Sequence, residues 1–253
     1  MLFRSLPGTL SYGLDQGEVR ADVVSMSSDG MHLRLHYAGQ TESVVTALIG
    51  RFNAANLMAV AATLLAENIA INAVASVLEK LTAAPGRMQR VVTESMADLP
   101  SVYVDYAHTP DALAKALDTV RETKPQSLAV VFGCGGNRDR SKRPIMGKIA
   151  ADLADRVYVT SDNPRSESPE GIVAEIVNGF ATTSARKSIV LRREAIHTAI
   201  TEASANDAVL IAGKGHENYQ EIAGVRHPFS DVIEAQIALT QRASNRREVR
   251  DVV

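Results

Sequence analysis

The fold of this chain is set by residues 128–153, whose sequence is LAVVFGCGGNRDRSKRPIMGKIAADL. The apolar run Leu128–Phe132 predicts a buried strand, and the segment from Pro144 to Leu153 predicts a helix. Between them lies a loop rich in glycine and basic residues, residues 133–143. A short buried strand followed by a helix is the repeating half of a parallel sheet covered by helices.

The same alternation recurs on both sides of this stretch. Further strands are predicted at 102–106, 157–160, 188–191 and 209–212, and further helices at 111–123, 169–180, 193–203 and about 231–242. We therefore predict an α/β fold, with a mostly parallel sheet flanked by helices, for the larger part of the chain. In such sheets ligands bind beyond the carboxyl ends of the strands.

The residues before this alternation follow another pattern. Apolar and polar residues alternate from Met31 to Tyr37, which predicts β-hairpins within the first 48 residues. Helices are predicted at 52–68, with Asn53 as the N-cap, and at 72–83. The Pro85-Gly86 pair then disfavours both helix and strand, so we place a domain boundary after residue 84.

The composition of the 253 residues excludes several classes of protein. A net charge of -2 gives no general attraction to nucleic acid or to an anionic membrane. Cys134 is the only cysteine, so no intrachain disulfide forms, and a reducing compartment fits. No apolar run approaches the roughly 20 residues of a membrane span. We expect a cytoplasmic protein that binds neither nucleic acid nor membrane.

The loop after the strand at 128–132 is a candidate anion site. Its three glycines let the backbone approach a ligand closely, and its four cations attract negative charge. The glycines are Gly133, Gly135 and Gly136, and the cations are Arg138, Arg140, Lys142 and Arg143. The loop matches neither the dinucleotide fingerprint nor the Walker A pattern, and the alternative interpretation is a solvated basic connector.

The loop after the strand at 157–160 carries Asp162-Asn163-Pro164-Arg165. Proline restricts the turn, so a carboxylate, an amide and a guanidinium are held near one another. This set suits a zwitterionic amino acid, although an ordinary Asx-Pro turn explains the same residues.

Two more strand ends carry polar residues. Asp105 could accept hydrogen bonds from a sugar diol and His108 could meet a phosphate, or Asp105 could be a structural cap with His108 merely exposed. The run from Gly213 to Glu217 could contact a polar ligand through its amides and Glu217. Its adjacent His216 and Glu217 are poorly spaced for a metal, so no metal site is predicted.

Taken in order, these segments resemble the motifs of the Mur ligases. The resemblance covers nearly the whole chain, and the Asp162–Arg165 run is similar to the recognition motif of the ligases that add meso-diaminopimelate. The segments that carry it are Gly50–Asn56, Gly86–Met88, Asp105–Pro110, Gly133–Pro144 and Gly213–Glu217.

The resemblance implies a Rossmann-like C-terminal ligase domain at 85–243, preceded at 1–84 by the remainder of a central ATP-binding domain and followed by a charged tail at 244–253. It also implies site residues. Those implied to face ATP are Asn56, Arg87, Asp105 and His108. Those implied to bind meso-diaminopimelate are Arg138, Asp162, Asn163, Pro164, Arg165, Gly213 and Glu217.

The reaction implied by the resemblance is ATP-dependent and Mg²⁺-dependent amide synthesis for peptidoglycan. A carboxylate of UDP-N-acetylmuramoyl-L-alanyl-D-glutamate becomes an acyl phosphate, which an amine of meso-diaminopimelate attacks. No catalytic residue and no metal ligand is assigned within this chain.

The sequence departs from the family in having no Gly-Lys-Ser or Gly-Lys-Thr, hence no P-loop. We therefore expect a chain that lacks the N-terminal and P-loop portions, is inactive alone and has those portions as possible partners. The alternatives are a binding-only diaminopimelate module without catalysis, or a related ligase of other amino-acid specificity.

Overall fold

The computed structural model describes residues 9–94, 96–181 and 186–251. The chain divides into two compact units. The first comprises Met1–Thr82 with the short segment Glu122–Lys124, and the second comprises Ala83–Arg121 with Pro125–Val253.

The first unit contains a small sheet and two helices. Its elements are β1 (Tyr12–Gly13), β2 (Val19–Ser27), β3 (Gly30–Tyr37), β4 (Gln40–Thr46), α1 (Arg51–Ala66) and α2 (Ile71–Leu78). The strands β2, β3 and β4 form an antiparallel meander, which confirms the predicted hairpins. The predicted alternation of apolar and polar residues in β3 is confirmed, because Met31, Leu33 and Leu35 are buried.

Two details of the predicted helices were wrong. Asn53 is not the N-cap, because α1 already begins at Arg51 after Gly50, and the Asn53 side chain instead donates a hydrogen bond to the Ile49 carbonyl at 2.9 Å. Helix α2 ends at Leu78 rather than near residue 83. Its buried face is complete there, since its buried residues are Ile71, Val74, Ala75 and Leu78, a spacing of three and four.

The second unit is the predicted α/β fold. Its elements are β5 (Gln89–Val91), β6 (Ser101–Asp105), α3 (Pro110–Glu122), β7 (Leu128–Phe132), α4 (Lys142–Leu153), β8 (Arg156–Val159), α5 (Pro169–Val177), β9 (Arg186–Ser188), α6 (Arg192–Glu202), β10 (Ala208–Ala212), β11 (Tyr219–Ile222), β12 (Val225–Pro228) and α7 (Asp231–Asp251). Six strands form one sheet in the order β5-β6-β10-β7-β8-β9, and only β5 is antiparallel to its neighbour. The strands β7 and β10 are buried along their whole length, as apolar runs in a covered parallel sheet should be.

Several elements differ from the sequence predictions. Strand β9 ends at Ser188 because Leu191 is already the N-cap of α6. The hairpin β11–β12 was not predicted; its two-residue turn, Ala223-Gly224, has φ of 49° and 78°, as such hairpins require. Helix α7 continues to Asp251 instead of ending near residue 242, because no proline or glycine interrupts it.

The predicted charged tail, residues 244–253, is therefore helical as far as Asp251. Residues 252–253, and residues 1–8 of the predicted first domain, lie outside the described residues. Within the described residues, no helix is both long and apolar enough to cross a membrane.

The parallel sheet determines where a site can form. The strands β6, β10, β7 and β8 are adjacent and parallel, so their carboxyl ends share one edge of the sheet. The four polar loops of the sequence analysis follow these four strands.

Candidate functional site

A cavity of about 690 Å³ lies among these loops in the second unit. It brings together seven of the predicted site residues. They are His108, Arg138, Asp162, Asn163, Arg165, Gly213 and Glu217. The sequence analysis did not assign a role to several other lining residues, among them Tyr106, Ile145 and Tyr219.

The acidic part of the cavity is organised by a buried lysine, Lys214. Its Nζ donates to Oδ1 of Asn163 and to Oε2 of Glu217, both at 3.1 Å. The Asn163 amide also donates to the same Glu217 oxygen at 2.8 Å, which leaves the Oε1 oxygen of Glu217 for a ligand. Glu217 is thus held in one orientation while its carboxylate remains partly exposed.

Asp162 is the most deeply buried carboxylate of the cavity lining, only 7% exposed. Burial raises the pKa of Asp162, against the lowering effect of the cations Arg192 and Lys214. Its carboxylate lies 4.0 Å from the Lys214 ammonium, and a side chain at Gly213 would come within 2.5 Å of its Oδ2. Position 213 therefore requires glycine, because its backbone lies close to the Asp162 carboxylate and has a φ of 122°.

Arg165 is held by the hairpin that the sequence analysis missed. Its φ of 53° is unusual for a residue with a side chain. The Arg165 N–H donates to the Glu221 carbonyl at 3.0 Å, and its own carbonyl accepts from the Ala223 N–H at 2.7 Å. Its guanidinium donates to the Gly136 carbonyl at 2.7 Å while still lining the cavity.

The basic loop is not simply solvated, and its four cations are not equivalent. Arg143 is completely buried and forms ion pairs with Glu167 and Glu175 at 2.9 and 2.8 Å. Arg140 also pairs with Glu175. The prediction of an anion site built from all four cations is wrong for this pair of arginines, since only Arg138 and Lys142 line the cavity.

Pro164 does not line the cavity, unlike its neighbours in the motif. A side chain at Gly136 would lie 1.9 Å from the Pro164 carbonyl oxygen, so this glycine permits close packing of the two loops. Pro164 therefore contributes backbone position rather than a polar group.

Of the four residues predicted to face ATP, Asp105 binds backbone N–H groups and His108 lines the cavity. Both carboxylate oxygens of Asp105 are used as a structural cap, accepting from the N–H groups of Met88 at 2.7 Å and Ala107 at 2.9 Å. Burial nevertheless raises the pKa of Asp105. His108 is exposed at the cavity, with its ring 4.6 Å from that of Tyr106.

The two other residues predicted to face ATP are exposed. The Arg87 guanidinium lies 4.9 Å from the centre of the Tyr106 ring, which places a cation beside an aromatic face. Asn56 lies on the exposed surface of α1, in the first unit.

Arg192, the first residue of α6, does not lie in solvent. Its side chain is fully buried and pairs with Asp231, also fully buried. It donates as well to the carbonyls of Ala212 at 3.0 Å and Ser161 at 3.3 Å, at the ends of two of the site's strands. Charge in the sequence could not reveal this, because buried and exposed arginines look alike.

Cys134, the only cysteine of the chain, lies buried in the basic loop, where burial raises the pKa of its thiol to about 12. In residues 9–94, 96–181 and 186–251, no group of three or more His, Cys, Asp or Glu side chains is placed to hold a metal ion. We assign no metal ligand.

A protein-family model and curated proteins both match this chain. The family model described as "Mur ligase, glutamate ligase domain" matches residues 86–215. A UDP-N-acetylmuramoyl-L-alanyl-D-glutamate–2,6-diaminopimelate ligase of Chromobacterium violaceum is 48% identical over 234 residues, 91% of this chain and 46% of that protein. The ligase of the same name from Neisseria meningitidis serogroup A is 47% identical, over 92% of this chain and 47% of that protein. The chain thus spans about half the length of the curated relatives it matches.

Solved structures give the same result. A structure of a UDP-N-acetylmuramoyl-L-alanyl-D-glutamate–2,6-diaminopimelate ligase has a TM-score of 0.73 and 42% identity, covering 92% of this chain and 48% of that one. The UDP-N-acetylmuramate–alanine ligase of Thermotoga maritima, at 20% identity, covers 93% of this chain and 48% of its own with a TM-score of 0.64, and so shares the fold.

Proposed function

This chain belongs to the Mur ligase family, and on that premise we propose that its cavity binds meso-diaminopimelate for ligation to UDP-N-acetylmuramoyl-L-alanyl-D-glutamate in peptidoglycan synthesis. The observation that carries the proposal is that six of the seven residues predicted to bind meso-diaminopimelate line one cavity. The named relatives carry out this ligation according to their names.

The charges in the cavity fit the far end of meso-diaminopimelate, which is an amino-acid head with one ammonium and one carboxylate. Arg138 and Arg165 offer guanidinium groups, which bind carboxylates in a planar, two-pronged geometry. The free oxygen of Glu217, together with Asp162, accepts the ammonium.

The same set explains why lysine would be a poor substrate. Lysine has an ammonium at its far end but no carboxylate, so the two arginines would lack an anionic partner. Before a ligand enters, Arg138 is exposed and Arg165 is partly buried. Once a bound ligand covers them, leaving a guanidinium unpaired costs about 1–3 kcal/mol. A site rejects a substrate that leaves its polar groups unpaired more strongly than a substrate that merely lacks one methylene group.

We also propose that ATP is used by the whole enzyme, where it supplies the phosphoryl group that activates the carboxylate. Arg87 and His108 both contact Tyr106, with the guanidinium 4.9 Å and the imidazole ring 4.6 Å from its ring, and would hold the nucleotide's anionic part. Each Asp105 oxygen retains an accepting direction for a ribose hydroxyl beside its backbone contact.

Calorimetric titration of the chain with meso-diaminopimelate tests the amino-acid site. We expect binding to meso-diaminopimelate and at least about tenfold weaker binding to L-lysine, for the reason above. Arg138→Ala should reduce the affinity for meso-diaminopimelate and leave L-lysine unaffected, because the removed cation serves the carboxylate that lysine lacks.

Lys115→Ala is the matched control, since this exposed cation on α3 pairs with Asp111, one turn away, and does not line the cavity. It should change neither affinity. Equal affinities of the folded chain for the two amino acids, or no binding of either, would overturn the proposed site.

A further inference from the structure

Lys214, which holds Asn163 and Glu217 in place, carries a charge to which no part in substrate selection has been assigned above. Its side chain has no exposed surface, and a charge removed from water is costly unless it is paired. A buried lysine differs from an apolar residue of similar size in its positive charge and its hydrogen-bond donors, and both act on the groups around it.

The surroundings of Lys214 are acidic. The carboxylates of Glu217 and Asp162 lie 3.1 and 4.0 Å from its Nζ. The ring of Tyr219, which lines the cavity, has its centre 5.5 Å from the same atom. With the two carboxylates ionised, the cluster of Asp162, Lys214 and Glu217 has one negative charge left over.

The buried charges of Arg192 and Asp231 do not alter that balance, and Arg138 and Arg165 are assigned above to the carboxylate of the ligand. Arg192 and Asp231 are paired with each other through two hydrogen bonds of 2.7 Å. One ligand ammonium would therefore neutralise the cluster. Two carboxylates without Lys214 would instead repel each other and favour uptake of a proton.

We propose that Lys214 is a positioning and specificity-determining residue for the amino-acid substrate. Its ammonium orients the Glu217 carboxylate and the Asn163 amide, and sets the cluster to accept one ammonium group. This inference rests on the proposed function of the cavity. Lys214 acts through Glu217 and Asn163 and does not itself touch the substrate.

The pH dependence of binding provides a measurable consequence. The groups facing Asp162 are Arg192 on α6, Asp231 on α7, Lys214 and Glu217 after β10, and the buried thiol of Cys134 after β7. Burial already raises the pKa of Asp162, and Lys214 is one of the two cations that lower it. Removing Lys214 raises this pKa further, so the variant should lose affinity for the ligand's ammonium at a higher pH than the unaltered chain.

The test is calorimetric binding of meso-diaminopimelate across a range of pH to the chain and to Lys214→Met and Lys214→Gln. We expect at least about a tenfold loss of affinity at neutral pH in both variants. Their affinity should fall on acidification at a higher pH than that of the unaltered chain. Lys214→Gln retains a hydrogen-bond donor, so it provides the test if Lys214→Met does not fold.

A double-mutant cycle with Glu217→Gln separates positioning from a structural effect. If Lys214 acts through Glu217, adding Lys214→Gln to Glu217→Gln should cost much less than Lys214→Gln alone. Additive losses, or an unchanged affinity and pH profile in the folded Lys214 variants, would overturn the inference alone. Failure of the unaltered chain to bind would instead overturn the proposed function.

Discussion

The guanidinium of Arg192 and the carboxylate of Asp231 form a fully buried pair joined by two hydrogen bonds of 2.7 Å. The pair connects the first turn of α6 to the first turn of α7. Because Arg192 also donates to the Ser161 and Ala212 carbonyls, this contact supports the loop that follows β8 and the carboxyl end of β10.

Breaking this pair should destabilise the second unit strongly. Asp231→Ala leaves a buried guanidinium without its anion, and we expect a loss of about 3–5 kcal/mol in the free energy of unfolding. Urea denaturation measures it. Asp111→Ala, which breaks the exposed pair with Lys115, should cost less than about 1 kcal/mol; equal losses in the two variants would contradict the argument.

Gly213→Ala should abolish binding of meso-diaminopimelate. The new methyl group would lie 2.5 Å from the Asp162 carboxylate, in a backbone conformation with φ of 122° that side chains rarely adopt. Gly224→Ala is the matched control, because its φ is also positive but nothing lies within 4 Å of the added atom. The control should lose about 1 kcal/mol of stability and keep its affinity.

Arg165→Gly should separate stability from binding. The substitution relieves a φ of 53° but removes the hydrogen bond to the Gly136 carbonyl, so the free energy of unfolding should change by less than about 1 kcal/mol. Affinity for meso-diaminopimelate should fall at least about tenfold, because the guanidinium is gone. A stable variant with undiminished affinity would exclude Arg165 from recognition.

The stability of the second unit should decrease in acid partly through Glu167. Hydrogen bonds from Arg143 and from the Asn137 N–H lower the pKa of Glu167 to about 2 from an ordinary value of 4.5. A carboxyl whose pKa is lowered by folding stabilises the protein above its unfolded pKa and loses that contribution as pH falls.

Between pH 4.5 and about 2, Glu167→Gln should therefore show a shallower loss of stability than the unaltered chain. Urea denaturation at a series of pH values measures the slope. Glu94→Gln, which removes an exposed carboxyl of the same unit, serves as the control. An unaltered slope in Glu167→Gln would refute the assignment.

Local patterns were sufficient to predict most elements of the second unit. The run Leu128–Phe132 became β7 with the predicted bounds, because five consecutive apolar residues suit a strand that is covered on both faces. Strand β5, with the sequence Gln-Arg-Val, has no apolar run, and it exists only because β6 offers it a free edge.

The site was predictable as a set of loops and not as a set of contacts. Glycine and charge in four loops marked the residues that line the cavity, since glycine permits close backbone approach and charge binds ligands. The same signal could not separate Arg138, which faces the cavity, from Arg143, which is buried against Glu167 and Glu175.

The sequence by itself determined the alternation of strands and helices and the family, because hydrophobic period and motif order are local properties. Tertiary structure alone decided the order β5-β6-β10-β7-β8-β9, the burial of Lys214 and Arg192, and the pairing of Arg192 with Asp231. These depend on which distant segments meet. The energy of a buried charge is set by the partners brought to it and not by its neighbours along the chain.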